Sequence, residues 1–232
     1  MVKSEIYKLF KYKAFWIVFL LQIGLSTLLT FIDTPKTLSA ALTSLDVTAS
    51  FFLVFIVNAI ARNDFQEGTM KNIIACGIRR STVFRAKLIV SFLAALLLLA
   101  ADGAIRVIIA FVKGATLGGD LIPLIIAIAL QVLMVLLYAC IFFSFSYLLY
   151  KGPWGMLISL YFVLFSTFTM AMADFFLKLP VTLSNYTVAH LSTVAHNLVF
   201  NLDTLLPVLI VTLLVCGLTI LVYAVTAKRE IR

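Results

Sequence analysis

The chain is built from long apolar runs separated by short polar interruptions. Six runs can be read: Ala14–Ile32, a weaker one at about Leu42–Ala61, Leu88–Val112, Leu121–Leu149, Trp154–Leu177 and Leu205–Ala227. A helix of about 20 predominantly apolar residues crosses a bilayer core, so each run predicts a transmembrane helix. The second is the weakest, because Thr43, Ser44, Asp46, Thr48 and Ser50 dilute its start. The fourth is longer than a bilayer needs and should tilt or protrude. The runs are continuous rather than alternating with period two, which excludes a transmembrane β-barrel. The pattern predicts an all-α membrane protein, one transmembrane domain over residues 1–232 with six spans.

Two segments outside the runs also carry helical periodicity. Val2, Ile6, Leu9, Phe10 and Lys13 share a spacing that puts most of Lys3, Lys8 and Lys11 elsewhere around the wheel. Residues 1–13 therefore read as an amphipathic helix on the membrane surface ahead of the first span. Between the last two spans, Val188, Leu191, Val194, Leu198 and Val199 recur at helical spacing. The loop 178–204 reads as one or two short helices resting on, or dipping into, the far leaflet.

Composition supports the class. The 232 residues are 63% hydrophobic and only 12% charged, against about 25% in a soluble domain, which could not cover its surface with so few charges. No small-residue cleavage site clearly follows the first run, so no cleaved signal peptide is expected. Cys76, Cys140 and Cys216 are odd in number and widely spaced, and read as small hydrophobes rather than a disulfide or metal framework.

The net charge of +8 could suggest nucleic acid, but the basic residues track the ends of the spans. Lys3, Lys8, Lys11, Lys13, Arg62, Lys71, Arg79, Arg80, Arg85, Lys87, Lys151, Lys228, Arg229 and Arg232 fall on one side of a six-span layout; Lys36, Lys113 and Lys178 fall on the other. Positive charge accumulates on the cytoplasmic face. Both termini and the loop 62–87 are thus expected in the cytoplasm and the loop 178–204 outside, with no nucleic-acid partner.

The loop 62–87, RNDFQEGTMKNIIACGIRRSTVFRAK, is a basic island in a chain where charge is scarce. Gly68 can break the helix before it. Thr69 can act as an N-cap through its hydroxyl, and Gly77 can close the short helix in the left-handed conformation glycine tolerates. Ser81 can cap the next helix, which runs through Phe84 and Lys87 into the third span. A mere stop-transfer loop accounts for the charge but not for paired breakers around a short helix.

Glu67-Gly68-Thr69, then Lys71, Gly77, Arg80 and Lys87, resembles the E…G-T-x-K signature, followed by a small residue, a basic residue and a lysine, of ABC-2 type transporter permeases. That signature lies between their second and third spans. The motif covers about a tenth of the chain, while the six-span layout, the amphipathic N-terminal segment and the outer loop before the last span match over its whole length. The resemblance implies that the short helix is a coupling helix that docks in a cytoplasmic ABC ATP-binding subunit. Its ATPase-coupling residues would be Glu67, Gly68, Thr69, Lys71, Gly77, Arg79 and Arg80. It also implies a second permease copy or a paralogue, contact with membrane lipid, and a bacterial plasma-membrane location. No G-x-x-x-x-G-K-[ST] phosphate loop occurs in the chain. ATP and Mg would then be bound by the partner ATPase, with no cofactor and no catalytic residue here.

Asp102 and Arg106 are charges inside a well-defined span, four residues apart on one helix face. They can pair and lower each other's burial cost. Two readings stand: an ion pair near the outer interface with Arg106 reaching to headgroups, or a polar feature of the translocation path or permease–permease interface. His190 and His196 share a helix face poorly and have no Cys or Glu beside them, so zinc is not expected. Phe142, Phe143, Phe145, Phe162, Phe165 and Phe168 lie among Ser and Thr residues that favour close helix packing, and could also face an amphipathic substrate.

Taken with the resemblance, these features lead to an exporter subunit for an amphipathic substrate such as an antimicrobial peptide, a drug or a lipid. A secondary transporter or channel not powered by ATP would need more intramembrane ionisable residues and inverted repeats. An integral membrane enzyme would need a convergent cluster of His, Asp, Glu or Cys, and none is evident.

Overall fold

A computed structural model describes residues 1–32, 37–43, 46–115, 121–149, 153–177, 182–197 and 202–228. These residues form α1 (Val2–Lys11), α2 (Lys13–Ile32), α3 (Leu38–Thr43), α4 (Asp46–Gln66), α5 (Thr69–Ala75), α6 (Arg80–Val112), α7 (Leu121–Leu148), α8 (Trp154–Leu177), a 3-10 turn (Leu183–Tyr186), α9 (His190–Asn197) and α10 (Leu202–Lys228). The all-helical expectation holds for them.

Among the described residues, five helices are long and apolar enough to cross a membrane: α2, α6, α7, α8 and α10. They coincide with five of the runs, and α6 continues from the loop into the third run as one helix, as expected. The weak second run is divided differently from the expectation. Its first residues belong to the separate short helix α3, and α4 extends to Gln66. The boundary between α3 and α4 falls within the hydroxyl-rich stretch that dilutes the run.

The polarity of α4 has a structural reason. From Thr48 to Phe65 none of its side chains is exposed, because α2, α6, α7 and α8 all pack around it. A helix surrounded by protein needs no apolar coat. By contrast α2, α8 and α10 expose large side chains such as Leu20, Phe168 and Leu213. Polar residues of α2, α4, α6 and α7 turn inward: Gln22, Ser26, Asn58, Ser91, Asp102, Gln131 and Ser144 are all buried. A bundle with its polar groups inside and its apolar groups outside is the arrangement lipid selects.

Three hydrogen bonds and an ion pair set the directions of the first helices. Gln22 Nε2 donates to the Leu98 carbonyl at 2.9 Å, and Lys113 Nζ to that of Phe31 at 3.3 Å, so α2 and α6 run parallel. Thr48 Oγ1 donates to Asp102 Oδ1 at 3.2 Å, and Lys87 lies at 2.9 Å from Asp64, so α4 runs antiparallel to both. The bundle therefore has a near end, carrying α1, α5 and the start of α6, and a far end.

At the far end α9 folds back against α7, burying Val188, Leu191, Val194 and Ala195; Leu198 and Val199, expected in the same stripe, lie outside the described residues. The Asp174 carboxylate accepts from the backbone N–H groups of Leu183 (2.6 Å) and Ser184 (2.9 Å), tying the end of α8 to the 3-10 turn.

Candidate functional site

The near end presents the loop between α4 and α6. Gly68 (φ +70°) and Gly77 (φ +81°) bracket α5, and both adopt the left-handed region that favours glycine. The expected short helix is present, but two of its expected caps differ. Gly68 is the residue before the helix and no side chain caps α5; no side chain caps α6 either, which starts at Arg80 rather than after Ser81. Thr69 does something else: its hydroxyl donates to Asp64 Oδ1 at 3.1 Å and lies 3.3 Å from the Asp64 carbonyl. The carboxylate one turn earlier outcompetes the backbone for that hydroxyl.

α5 has one anchored face and one free face. Met70 is buried, Ile73 and Ile74 are half-buried against the core, and Lys71 and Asn72 are exposed. Glu67 and Arg79 are exposed at the two ends, and Arg80 is half-buried. Beside the helix, Ile74, Gly77, Ile78, Arg79, Arg80 and Ser81 line a concavity with Ala227 of α10. Below the loop, Phe84 packs edge-on against Phe143, Tyr147 and Tyr223, and Phe65 against Tyr147. Four helices are thus glued together under α5.

Next to this aromatic floor lies a knot of four charges that the sequence pattern did not reveal. Lys87, 1% exposed, places Nζ 2.9 Å from Asp64 Oδ2, 3.9 Å from Glu5 Oε2 and 2.6 Å from the Ile60 carbonyl. Lys8 Nζ is 2.8 Å from Glu5 Oε1 and 3.1 Å from Asp64 Oδ1. Two carboxylates and two ammonium groups cancel, which makes burial tolerable. Burial by itself would raise the Asp64 pKa; the charge and hydrogen bonds of Lys87 and Lys8 outweigh it and hold the carboxyl below its usual range. For Lys8, burial works downward, and the bonds to Glu5 and Asp64 outweigh it and raise its pKa.

The knot joins α1, α4 and α6, and through Thr69 it reaches α5. Lys87 belonged to the sequence motif; Glu5, Lys8 and Asp64 were missed as partners. Glu5 gave one signal, a single acid in a basic helix, one turn before Leu9 on the same face.

The family model for ABC-2 family transporter protein matches residues 1–168. The chain belongs to this family. A search of curated proteins finds no significant match. Membership accounts for a multi-pass helical chain, and the ABC-2 match includes α1, the knot and the α5 loop.

The second pair of sequence candidates in this ABC-2 protein lies apart from the loop, Asp102 being about 22 Å along α6 from Lys87 at 1.5 Å per residue. Asp102 is fully covered within the chain. Arg106 Nε donates to its Oδ2 at 3.2 Å, and Thr48 of α4 bonds its Oδ1. The pair is therefore an internal staple between α4 and α6. His190 is half-buried, which lowers its pKa, and His196 is exposed; among the described residues no group of three His, Cys, Asp or Glu is placed to hold a metal. Phe142 and Phe143 are fully buried, whereas Phe165 and Phe168 are exposed.

Proposed function

We propose that the chain is the membrane subunit of an ATP-driven exporter, with α2, α4, α6, α7, α8 and α10 as six crossings and the near end in the cytoplasm. In this reading α5 is the coupling helix. Lys71, Arg79 and Arg80 meet an ATP-binding subunit that carries ATP and Mg, and Glu67, Gly68, Thr69 and Gly77 set the helix's position. The observation that carries the proposal is the double nature of α5: one face is anchored into the bundle through Met70 and the Thr69–Asp64 bond, and the other is free for a partner. A push on the free face would be delivered to α4 and, through the knot, to α1 and α6 together.

The cargo is proposed to be amphipathic, such as an antimicrobial peptide, a drug or a lipid, and a second copy or paralogue would complete the pathway across the broad apolar faces of α2 and α8. A transporter powered without ATP fits less well, because Asp102 is neutralised by Arg106 and Thr48 inside the chain.

The test is affinity purification of the full chain from its native membrane, followed by transport measurement. Co-purification of a P-loop ATPase, with ATP-dependent transport reduced at least tenfold by Glu67→Ala or Arg80→Glu, is the expected result. Failure to bring down an ATPase, together with transport that survives ATP depletion, would overturn it.

A further inference from the structure

A cavity of about 270 Å³ opens at the elbow between α1 and α2. Leu9, Phe15 and Val18 form one wall, and Phe55, Ile56 and Ala59 of α4 form the other. One end is closed by the charged knot: Glu5, Lys8, Asp64 and Lys87 all border the cavity, as does Asn63. The space is polar at the level of α1 and apolar beyond it. From Asn63 to Phe55 it follows α4 for about 12 Å at 1.5 Å per residue. That distance carries it from the headgroup level most of the way through one leaflet of a hydrocarbon core about 30 Å thick.

An amphiphile fits such a space, and its size and charge narrow the class. The volume falls just below the roughly 300–1,000 Å³ of sites for drug-sized molecules, enough for one hydrocarbon chain rather than a whole folded peptide. Within the knot the acids are already matched by Lys8 and Lys87. The Lys8 ammonium has three donors, two of which are spent on Glu5 and Asp64; its side chain is 47% exposed, so the third can face outward. Lys11 and Lys13, both exposed, flank Tyr12, which lines the cavity; the Lys11 ammonium lies 5.7 Å from the Tyr7 ring centroid.

We propose that this cavity holds one acyl chain of an anionic phospholipid whose phosphate is bound at the rim by Lys8, Lys11 and Lys13. The bound lipid fills the space between α1–α2 and α4, so the seating of α1 depends on the composition of the adjoining leaflet. The proposal rests on the cavity and its rim and does not require an ATPase partner.

Trp16 provides the probe. Its ring centroid is 5.5 Å from that of Phe15, and its indole N–H donates to the Phe10 carbonyl at 2.8 Å across the elbow. The chain has two tryptophans, so Trp154→Phe leaves Trp16 alone. The full-length Trp154→Phe protein is reconstituted in phosphatidylcholine vesicles and titrated with phosphatidylglycerol brominated on its chains, or with equally brominated phosphatidylcholine. Quenching by the anionic lipid should saturate at a mole fraction at least fivefold lower than for the zwitterionic lipid. Lys11→Gln with Lys13→Gln should erase most of that preference and leave phosphatidylcholine quenching unchanged. Ala59→Phe, which fills the cavity, should abolish the saturating phase in protein that still elutes as a single species; if that variant fails to fold, the lysine pair decides. Equal quenching by the two lipids would mean annular contact only and would overturn the proposal. So would a preference that survives the double lysine substitution.

Discussion

Lys87 and Asp64 face each other at 2.9 Å with 1% and 3% of their side chains exposed, one at the start of α6 and one at the end of α4. Neither charge has water to fall back on. Removing one partner from a buried pair typically costs about 3–5 kcal/mol, because the other stays charged and uncompensated. Lys87→Met or Asp64→Asn should each lower the thermal midpoint in detergent by several degrees and cut the yield of folded protein. Lys87→Met with Asp64→Leu should recover at least half of that loss, since Glu5 and Lys8 remain paired. An additive double variant would show that the two residues act independently.

The same knot sets a pH window. The Asp64 pKa is depressed, so its contribution is present above the ordinary aspartate value of 3.8 and is lost as pH falls through its lower folded value. The Lys8 pKa is raised, so its contribution is present below 10.5 and is lost as pH rises through its higher folded value. Hydrogen exchange of α1, corrected for intrinsic rate, should be flat between about pH 5 and 9. It should accelerate only outside that interval, and acceleration near pH 6–7 would contradict the assignment.

Thr69 and Lys71 should separate internal from external roles. Thr69→Val deletes the hydroxyl that binds Asp64, a charge-assisted bond worth about 1.5–3 kcal/mol. It should loosen α5 and reduce coupled transport while ATPase binding persists. Lys71→Glu alters the exposed face and should instead weaken ATPase binding, in a salt-dependent way. Co-purification yield and transport rate, measured on both variants, distinguish the two.

Five of the six apolar runs were legible as helices long enough to span, because a 20-residue apolar run has few other uses, and the short α5 because two glycines mark its ends. Less was legible where polar groups decide the geometry. Thr69 and Ser81 were expected as caps from local pattern alone. The actual partner of Thr69 is a carboxylate set by the end of α4. Glu5 lies on the apolar face of α1, where periodicity would place a hydrophobe, and its partner Lys87 is far away in the chain. Asp102 could be paired with Arg106 from the i, i+4 spacing, but the part played by Thr48 depends on α4 being antiparallel to α6, which no local pattern encodes.

Gly155 marks a close approach of α8 to α7. A Cβ there would lie 2.8 Å from Ser146 Cα and 3.1 Å from the Phe145 carbonyl oxygen, both backbone atoms that cannot rotate away. Gly155→Ala should force α7 and α8 apart and cost about 1–3 kcal/mol, read as a lower thermal midpoint. Gly24→Ala is the control: nothing lies within 4 Å of its added methyl, and alanine in a helix interior gains about 0.5–1 kcal/mol over glycine.

Asp102→Ala removes the carboxylate that Arg106 and Thr48 share between α6 and α4 and should lower the thermal midpoint. Thr48→Ala leaves the ion pair in place and should cost about 1 kcal/mol. If transport per folded molecule falls in Asp102→Ala and is restored by neither low temperature nor a stabilising lipid, Asp102 serves the pathway as well as the staple.

The seating of α1 also orders the birth of the protein. Glu5 and Lys8 leave the ribosome before Asp64 and Lys87, the groups on α4 and α6 that they bind. Until α4 has been delivered and α6 has begun, the acid of α1 has only Lys8 of its own helix to pair with. The seating of α1 then requires the chain to be threaded correctly through Lys87, so a protease that recognised an undocked α1 would read out errors made dozens of residues downstream.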